Sequence, residues 1–176
     1  SSLETRNCRF KLMHQFITQK LSQYQPRTLI ADLQTPAAVL VAITDDKHNP
    51  EVILTRRAQH LPTHKGQIAF PGGKEDPDDA DLVATALREA YEEVALKPEA
   101  VAVVGKMGQV LSRQGFVVTP VIGVVPAAVV NQLMPNLGEL DRIFTVPLRF
   151  FVDTKPQMDA LPLAKGVKQV PSFYYD

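Results

Sequence analysis

The chain has 176 residues, 45% of them apolar, which is the size and make-up of one domain with a sizeable core. Lysine plus arginine equals aspartate plus glutamate at 19 each, so no net field draws the protein to nucleic acid or an anionic membrane, and an anionic ligand must be held locally. The single Cys8 excludes an internal disulfide and fits a reducing compartment.

In chain order, Phe10, Met13, Phe16, Ile17 and Leu21 recur at helical spacing and predict an amphipathic helix between Arg6 and Gln23, ending near Tyr24 ahead of Pro26. Its polar interruptions are poor for a secretory signal, so a cytoplasmic location is the default; the Arg-containing, acid-poor start is the feature that argues instead for an organelle transit peptide. PAAVLVAIT (Pro36 to Thr44), the turn signal DDKHNP and EVILTRR read as a β-hairpin. GQIAF (Gly66 to Phe70) reads as a short strand stopped by a Pro71-Gly72-Gly73 turn, and a helix is expected over roughly Asp79 to Leu96, with acids at its start and Lys97-Pro98 at its end.

Strand-like runs follow in AVAVVG, FVVTPVIGVV, RIFTVPL and QVPSFYY, with loops expected at Pro135 to Gly138 and Thr154 to Gly166. The longest apolar run, Val117 to Val130, is interrupted by Pro120 and Pro126 and is too short to cross a bilayer. Strands around one central helix, without repeats or regular βαβ alternation, give an α/β or α+β class with a mixed sheet. The expected organisation is a single domain over residues 1–176, of which 1–30 form an N-terminal helical extension.

The central helix carries the chemistry. On a wheel, Val83, Ala86, Leu87, Ala90 and Val94 form one apolar stripe, and Glu89 and Glu93 lie along its edge with Glu92 a step further round. Carboxylates four residues apart have Cβ atoms about 5–6 Å from one another and repel, a cost that a divalent cation between them removes. Oxygen ligands without Cys or His suit Mg²⁺ or Mn²⁺, which complete their coordination with water and substrate phosphate oxygens. Such a cation neutralises a leaving phosphate and acidifies water for a carboxylate base. From Val52 to Lys74 the chain carries Arg56, Arg57, Lys65, Lys74, His60 and His64 and no acid, whereas from Glu75 to Glu93 it carries eight acids and the single base Arg88. An anion-binding half therefore adjoins a cation-binding half, and the Gly72-Gly73 amides permit close approach to a phosphate. Taken singly, each feature has an ordinary reading: a solvated Glu-rich face, Arg88 paired with Glu92, a simple turn, surface arginines. Their fixed order is what favours a site.

At these residues the sequence resembles the Nudix hydrolases. Their pattern runs Gly, five residues, Glu, seven residues, then Arg-Glu-apolar-any-Glu-Glu-any-Gly-apolar, and Gly73, Arg88, Glu89, Ala90, Glu92, Glu93 and Leu96 match it. Ala95 stands where that pattern has glycine, and Asp79 replaces its first glutamate with one extra residue before Arg88. The preceding segment resembles the coenzyme A pyrophosphatase branch, Leu-Thr-x-Arg-Ser … His-x-Gly-x-x-x-Phe-Pro-Gly-Gly, at Leu54, Thr55, Arg57, His64, Gly66, Phe70, Pro71, Gly72 and Gly73. Ala58 replaces its serine, Pro62 stands where the branch often has arginine, and GFVVTPVIG and ELDRIFTVPL extend the likeness over Pro36 to Leu148.

The resemblance implies an α/β/α sandwich around a mixed β-sheet and Mg²⁺- or Mn²⁺-dependent cleavage of coenzyme A or its acyl derivatives to 3′,5′-ADP and 4′-phosphopantetheine. It assigns Glu89, Glu92 and Glu93 to the metal and Arg88 to orienting the glutamates, with Glu139 as a candidate base or ligand. Arg56, Arg57, His64, Gly66, Phe70, Gly72, Gly73 and Lys74 form the expected substrate-binding set. The family has a C-terminal helix after its final strand, and with the chain ending at Phe173-Tyr174-Tyr175-Asp176 that helix is expected to be missing. The expected partner is a small-molecule nucleotide diphosphate, and a homodimer is compatible with the chain. Two alternatives are another Nudix specificity, for ADP-ribose, dinucleotides or nucleoside triphosphates, and a non-catalytic nucleotide-binding module.

Overall fold

The computed structural model describes residues 14–29, 34–112, 114–163 and 166–175. The expected helix is present over residues 14–22 (α1); Phe10 and Met13 of its predicted stripe, and Cys8, lie outside the described residues. Among the described residues no helix is long and apolar enough to cross a membrane.

The continuous apolar run Thr35–Thr44 is the central strand β1, buried on both faces, which is why it shows no polar alternation. It pairs in parallel with β7 (Phe116–Val125) from Thr35↔Phe116 through Thr44↔Val125. On its other side it meets β2 (Glu51–Arg57) and β4 (Gly72–Lys74), both antiparallel. β2 in turn pairs with β3 (Ile68–Ala69) and β8 (Leu140–Pro147), while β5 (Ala102–Lys106) and β6 (Val110–Leu111) pair with β7. The result is an eight-stranded mixed sheet, beside which β9 (Gln157–Leu163) and β10 (Gly166–Ser172) form a separate antiparallel hairpin.

Helices cover both faces of the sheet. On one, Ala86, Ala90 and Val94 of α2 (Leu82–Val94) join Ala38, Leu40 and Ala42 of β1 and Val121 and Val125 of β7 in a core. The alanines on both partners let the helix lie close to the strand; a larger residue at such a site costs about 1–3 kcal/mol. On the other face, Ile17 and Leu21 of α1 and Phe150 and Phe151 of α3 (Leu148–Asp153) cover Ile43, Val52, Leu54, Ile122 and Val146. The class is α/β, as expected.

Three segments differ from the sequence reading. Gly72-Gly73 is no turn but part of β4: Ala38↔Gly73 and Val39↔Gly72 are ladder partners, and a Cβ on Gly72 would overlap the β1 backbone. GQIAF contributes only Ile68–Ala69 as strand, with Gly66 at φ 65 in the turn before it. Thr154 to Gly166, expected as loop, contains β9, whose partner β10 provides the hydrogen bonds that its own proline-containing sequence does not advertise.

Candidate active site

Helix α2 begins where the acidic run folds on itself. Asp81 is its N-cap, with Oδ1 accepting from the Val83 and Ala84 amides at 2.8 Å each. Just before it, the Asp76 amide donates to Asp79 Oδ2 at 2.9 Å and the Asp79 amide to the Asp76 carbonyl at 3.0 Å. This tight loop accommodates the extra residue and turns the Asp79 carboxylate inward, 6% exposed, onto Arg88. Arg88 Nε and Nη2 each donate to it at 2.9 Å, a two-point fork that holds the Asp79 carboxyl well below the usual range and raises the guanidinium.

The remaining Arg88 donors order the site. Nη2 also reaches the Lys74 carbonyl at 3.0 Å, tying α2 to β4, and Nη1 donates to Glu89 Oε1 at 3.0 Å and Glu92 Oε2 at 3.1 Å. The expected trio of glutamates is therefore divided. Glu92 turns out to Arg88 with its side chain 53% exposed, while Glu89 stays 18% exposed and Glu93 is buried at 7%.

β4 brings backbone against these acids. The Gly72 amide donates to Glu93 Oε2 at 3.2 Å, and a Cβ on Gly73 would fall on the Glu89 carboxylate, so only glycine permits that approach. Burial pushes the Glu93 carboxyl up to about 7, with Glu89 and Glu139 adding repulsion and the Gly72 amide and Arg57 opposing it. Burial likewise raises Glu89 against the pull of Arg88. Glu139 reaches this neighbourhood because the loop before β8 ties down the end of α2: the Asn136 amide donates to the Glu93 carbonyl at 2.8 Å and the Met134 amide to the Val94 carbonyl at 3.1 Å.

The basic segment does not converge on the glutamates as one group. Arg57 acts electrostatically on Glu93, and its Nε is buried without a hydrogen-bond partner among the described residues. Arg56 instead pairs with Asp141 at 2.7 Å, as expected for a neighbouring strand residue that projects the other way. His64, at φ 57, places Nε2 2.6 Å from Gln114 Nε2; His60 Nε2 lies 3.3 Å from the Gly138 carbonyl; Lys74 Nζ sits 5.0 Å from the Phe116 ring centre. Phe70 packs on the α1/α3-side core, and Gly66 meets the Arg57 carbonyl at 3.0 Å through its amide.

Ala95, in the position of the family's glycine, adopts the left-handed conformation that a glycine would take, φ 56 and ψ 25. Its amide closes on the Tyr91 carbonyl at 2.9 Å and that of Leu96 on Ala90 at 3.3 Å, with Leu96 buried beneath. The cap is thus retained at the expense of a strained alanine, of order 1 kcal/mol.

Among the described residues no group of three or more His, Cys, Asp or Glu side chains is arranged to hold a metal ion. The donor chemistry nonetheless fits a hard cation. Glu93 is a buried acid that accepts from the Gly72 amide and is repelled by Glu89 and Glu139, a repulsion that a divalent ion between the carboxylates would relieve. Glu89 and Glu93 are the more buried of the three α2 acids, with Glu139 within electrostatic reach, while Arg88 Nη1 engages both Glu89 and the more exposed Glu92.

The chain is 49% identical over 112 residues to the Uncharacterized Nudix hydrolase NudL of Yersinia pestis (strain Pestoides F), covering 64% of this chain and 55% of that protein, and to its counterpart in Yersinia pseudotuberculosis (serotype O:1b) to the same extent. It therefore spans about half the length of these curated relatives. Among solved structures, a binary complex of the C. elegans Ap4A hydrolase superposes with TM-score 0.55 at 18% identity, over 66% of this chain and 83% of that one. The NUDIX domain of Shewanella oneidensis NrtR, complexed with ADP ribose, does so with TM-score 0.53 at 21% identity, over 77% and 85%. These likenesses show the fold, and the NUDIX domain family matches residues 34–151. With that match spanning most of the chain and enclosing the sheet, α2 and its glutamates, the protein belongs to the Nudix family.

Proposed function

We propose that the protein hydrolyses the diphosphate of a nucleoside diphosphate-X compound, with coenzyme A or an acyl-coenzyme A as the preferred substrate. The observation that carries the reaction class is the opposition of two incomplete groups: buried Glu93 beside Glu89, in want of a cation, and Arg57, whose buried Nε has no partner, in want of an anion. The Leu54-Thr55 to Gly73 segment supports the coenzyme A preference through its resemblance to that branch.

In this reading Glu89 and Glu93 hold Mg²⁺ or Mn²⁺, which supplies charge neutralisation for the diphosphate and activates water. Arg88 fixes the Glu89 carboxylate through Nη1 while anchored on Asp79, so it orients the acid without reaching substrate. Arg57 binds a phosphate oxygen through its free Nε–H, and the glycine backbone of β4 lets the diphosphate approach the acids closely. Glu139, exposed on the loop before β8 and close enough to repel Glu93, accepts the proton of the attacking water. His64 lies against Gln114 and Lys74 against the Phe116 ring, and their part in this reading is to supply substrate contacts beyond the diphosphate.

The test is hydrolysis of coenzyme A, acetyl-coenzyme A, ADP-ribose and dGTP side by side with Mg²⁺ and with Mn²⁺. A higher kcat/KM for the coenzyme A compounds is expected. Equal turnover of all four would overturn the substrate, and turnover by Glu93→Gln would overturn the assignment of the acids.

A further inference from the structure

On the side of β2 and β8 where Arg56 meets Asp141, the structure has a cleft of about 470 Å³, separate from the glutamates and lined by Arg56, Arg142 and a group of aromatic rings. Its size lies within the range of small-molecule sites, roughly 300–1,000 Å³. Its floor is sheet, Leu54 and Phe144 being direct partners across β2 and β8. One wall is α3 and the other is the segment after β10.

The rings hold one another edge-on. Phe150 contacts Phe151 at 5.4 Å, Phe173 at 6.1 Å and Tyr175 at 4.9 Å between ring centres. Tyr174 and Tyr175 stay 62% and 48% exposed at the rim, and the Tyr174 hydroxyl donates to Asp159 at 2.8 Å, which fixes the strap that carries them. These rings are drawn from β8, α3 and the end of the chain, so they are assembled only by the fold.

The charges show what the cleft is for. Arg56 and Arg142 face each other directly across the strands, an arrangement that is unfavourable for like charges. Asp141 neutralises Arg56, whereas Arg142 stacks 5.6 Å from the Phe144 ring centre and has no ion pair among the described residues. A face awaiting only an apolar piece of chain gains nothing from two opposed guanidiniums. A ligand with a flat ring and a phosphate uses both features, stacking on the aromatics and pairing with Arg142.

We infer that this cleft is a second ligand site, for an aromatic base carrying a phosphate group, distinct from the carboxylates of α2. Consecutive residues of β2 then serve two sites: Arg57 the glutamates, Arg56 the cleft. Two sources supply this chemistry, the base end of the substrate itself or a separate nucleotide effector.

The test is titration of the full chain with adenosine 5′-monophosphate in chelator, followed by calorimetry and by NMR of the tyrosine rings, with adenosine and inorganic phosphate as comparisons. Because no turnover is involved, failure of the proposed diphosphate hydrolysis leaves the result intact. Binding is expected, weakened about tenfold by Arg142→Ala, the loss of one charge-assisted contact, and unaffected by Arg57→Ala. In the active protein, a raised KM at unchanged kcat for Arg142→Ala assigns the site to the substrate's base end. An unchanged KM, with a rate that responds to the added monophosphate in the wild type only, assigns it to an effector. Absence of binding, equal binding of adenosine, equal binding by Arg142→Ala, or loss of binding on Arg57→Ala would each overturn the proposal. Self-association that buries these rings without any response to the monophosphate would overturn it as well, by making the cleft a packing face.

Discussion

Two buried acids, fourteen residues apart on the same helix-loop unit, have opposite fates. Asp79, at the approach to α2, is forked by Arg88 and held strongly acidic, while Glu93, where α2 meets β4, has one amide and two repelling carboxylates and is pushed up to about 7. The first is satisfied within the fold and serves to hold it. The second is left unsatisfied by the fold, and only something from outside completes it.

The largest way to break this contrast is Glu93→Gln, which keeps the shape and removes the charge. Hydrolysis is expected to fall by at least about a hundredfold, measured as product release at saturating Mg²⁺ and coenzyme A. In chelator at pH 8 the same variant is expected to unfold at a higher temperature than the wild type, because the buried charge is gone.

The pH dependence of the metal-free protein separates the two acids. Below 4.5 Glu93 is protonated in both states; as pH rises from 4.5 towards 7 the unfolded chain ionises while the folded one keeps its proton, and stability falls by on the order of 2–3 kcal/mol. Asp79 acts in the other direction: its contribution is present above 3.8 and is lost as pH falls below that towards its depressed folded value. Denaturant midpoints in chelator should therefore be highest near pH 4 to 5, with Glu93→Gln reducing the fall on the alkaline side to the smaller part that Glu89 contributes. A monotonic rise to pH 8 would contradict the account.

Asp79→Ala should cost about 2 kcal/mol, less than a fully buried pair because Arg88 is 29% exposed. Freed from Asp79, Arg88 should also hold Glu89 less firmly, so activity drops beyond what folding explains, and Asp79→Glu, the family's own residue, should restore it only in part given the extra residue in the loop. The smallest change expected is Ala95→Gly, which relieves the left-handed alanine and raises stability by about 1 kcal/mol, or about 2–4 °C in Tm, with activity unchanged.

Much of this was legible in the sequence, and unevenly. FVVTPVIGVV was read as a strand and is one over Phe116–Val125, and the stripe from Val83 to Val94 lies against the core as its spacing requires. β4 was not legible, because GGK has no side-chain alternation and its strand character comes entirely from pairing with β1. β9 escaped because its sequence contains a proline, which argues against a strand until the pairing with β10 is seen. Helix geometry places the three glutamates near one another, but counting positions on a face cannot see that Arg88 Nη1 bridges Glu89 and Glu92. Asp79 stood out as a departure, but its fork with Arg88 depends on how the loop from Asp76 closes. The aromatic cleft left no local signal at all, since its residues lie between Leu54 and Tyr175.

The parallel pairing of β1 with β7 sets an order of assembly. During synthesis β1, β2, β4 and α2 are all made before β7 is complete at Val125, so the central strand must wait for its partner with one edge open. Closing so long a loop is a slow, entropically costly step. An unpaired apolar strand of ten residues is a hazard for association with other chains until it closes. The late arrival of β7 therefore leaves the incomplete chain open to self-association, and refolding yield should fall with protein concentration even where the finished fold is stable.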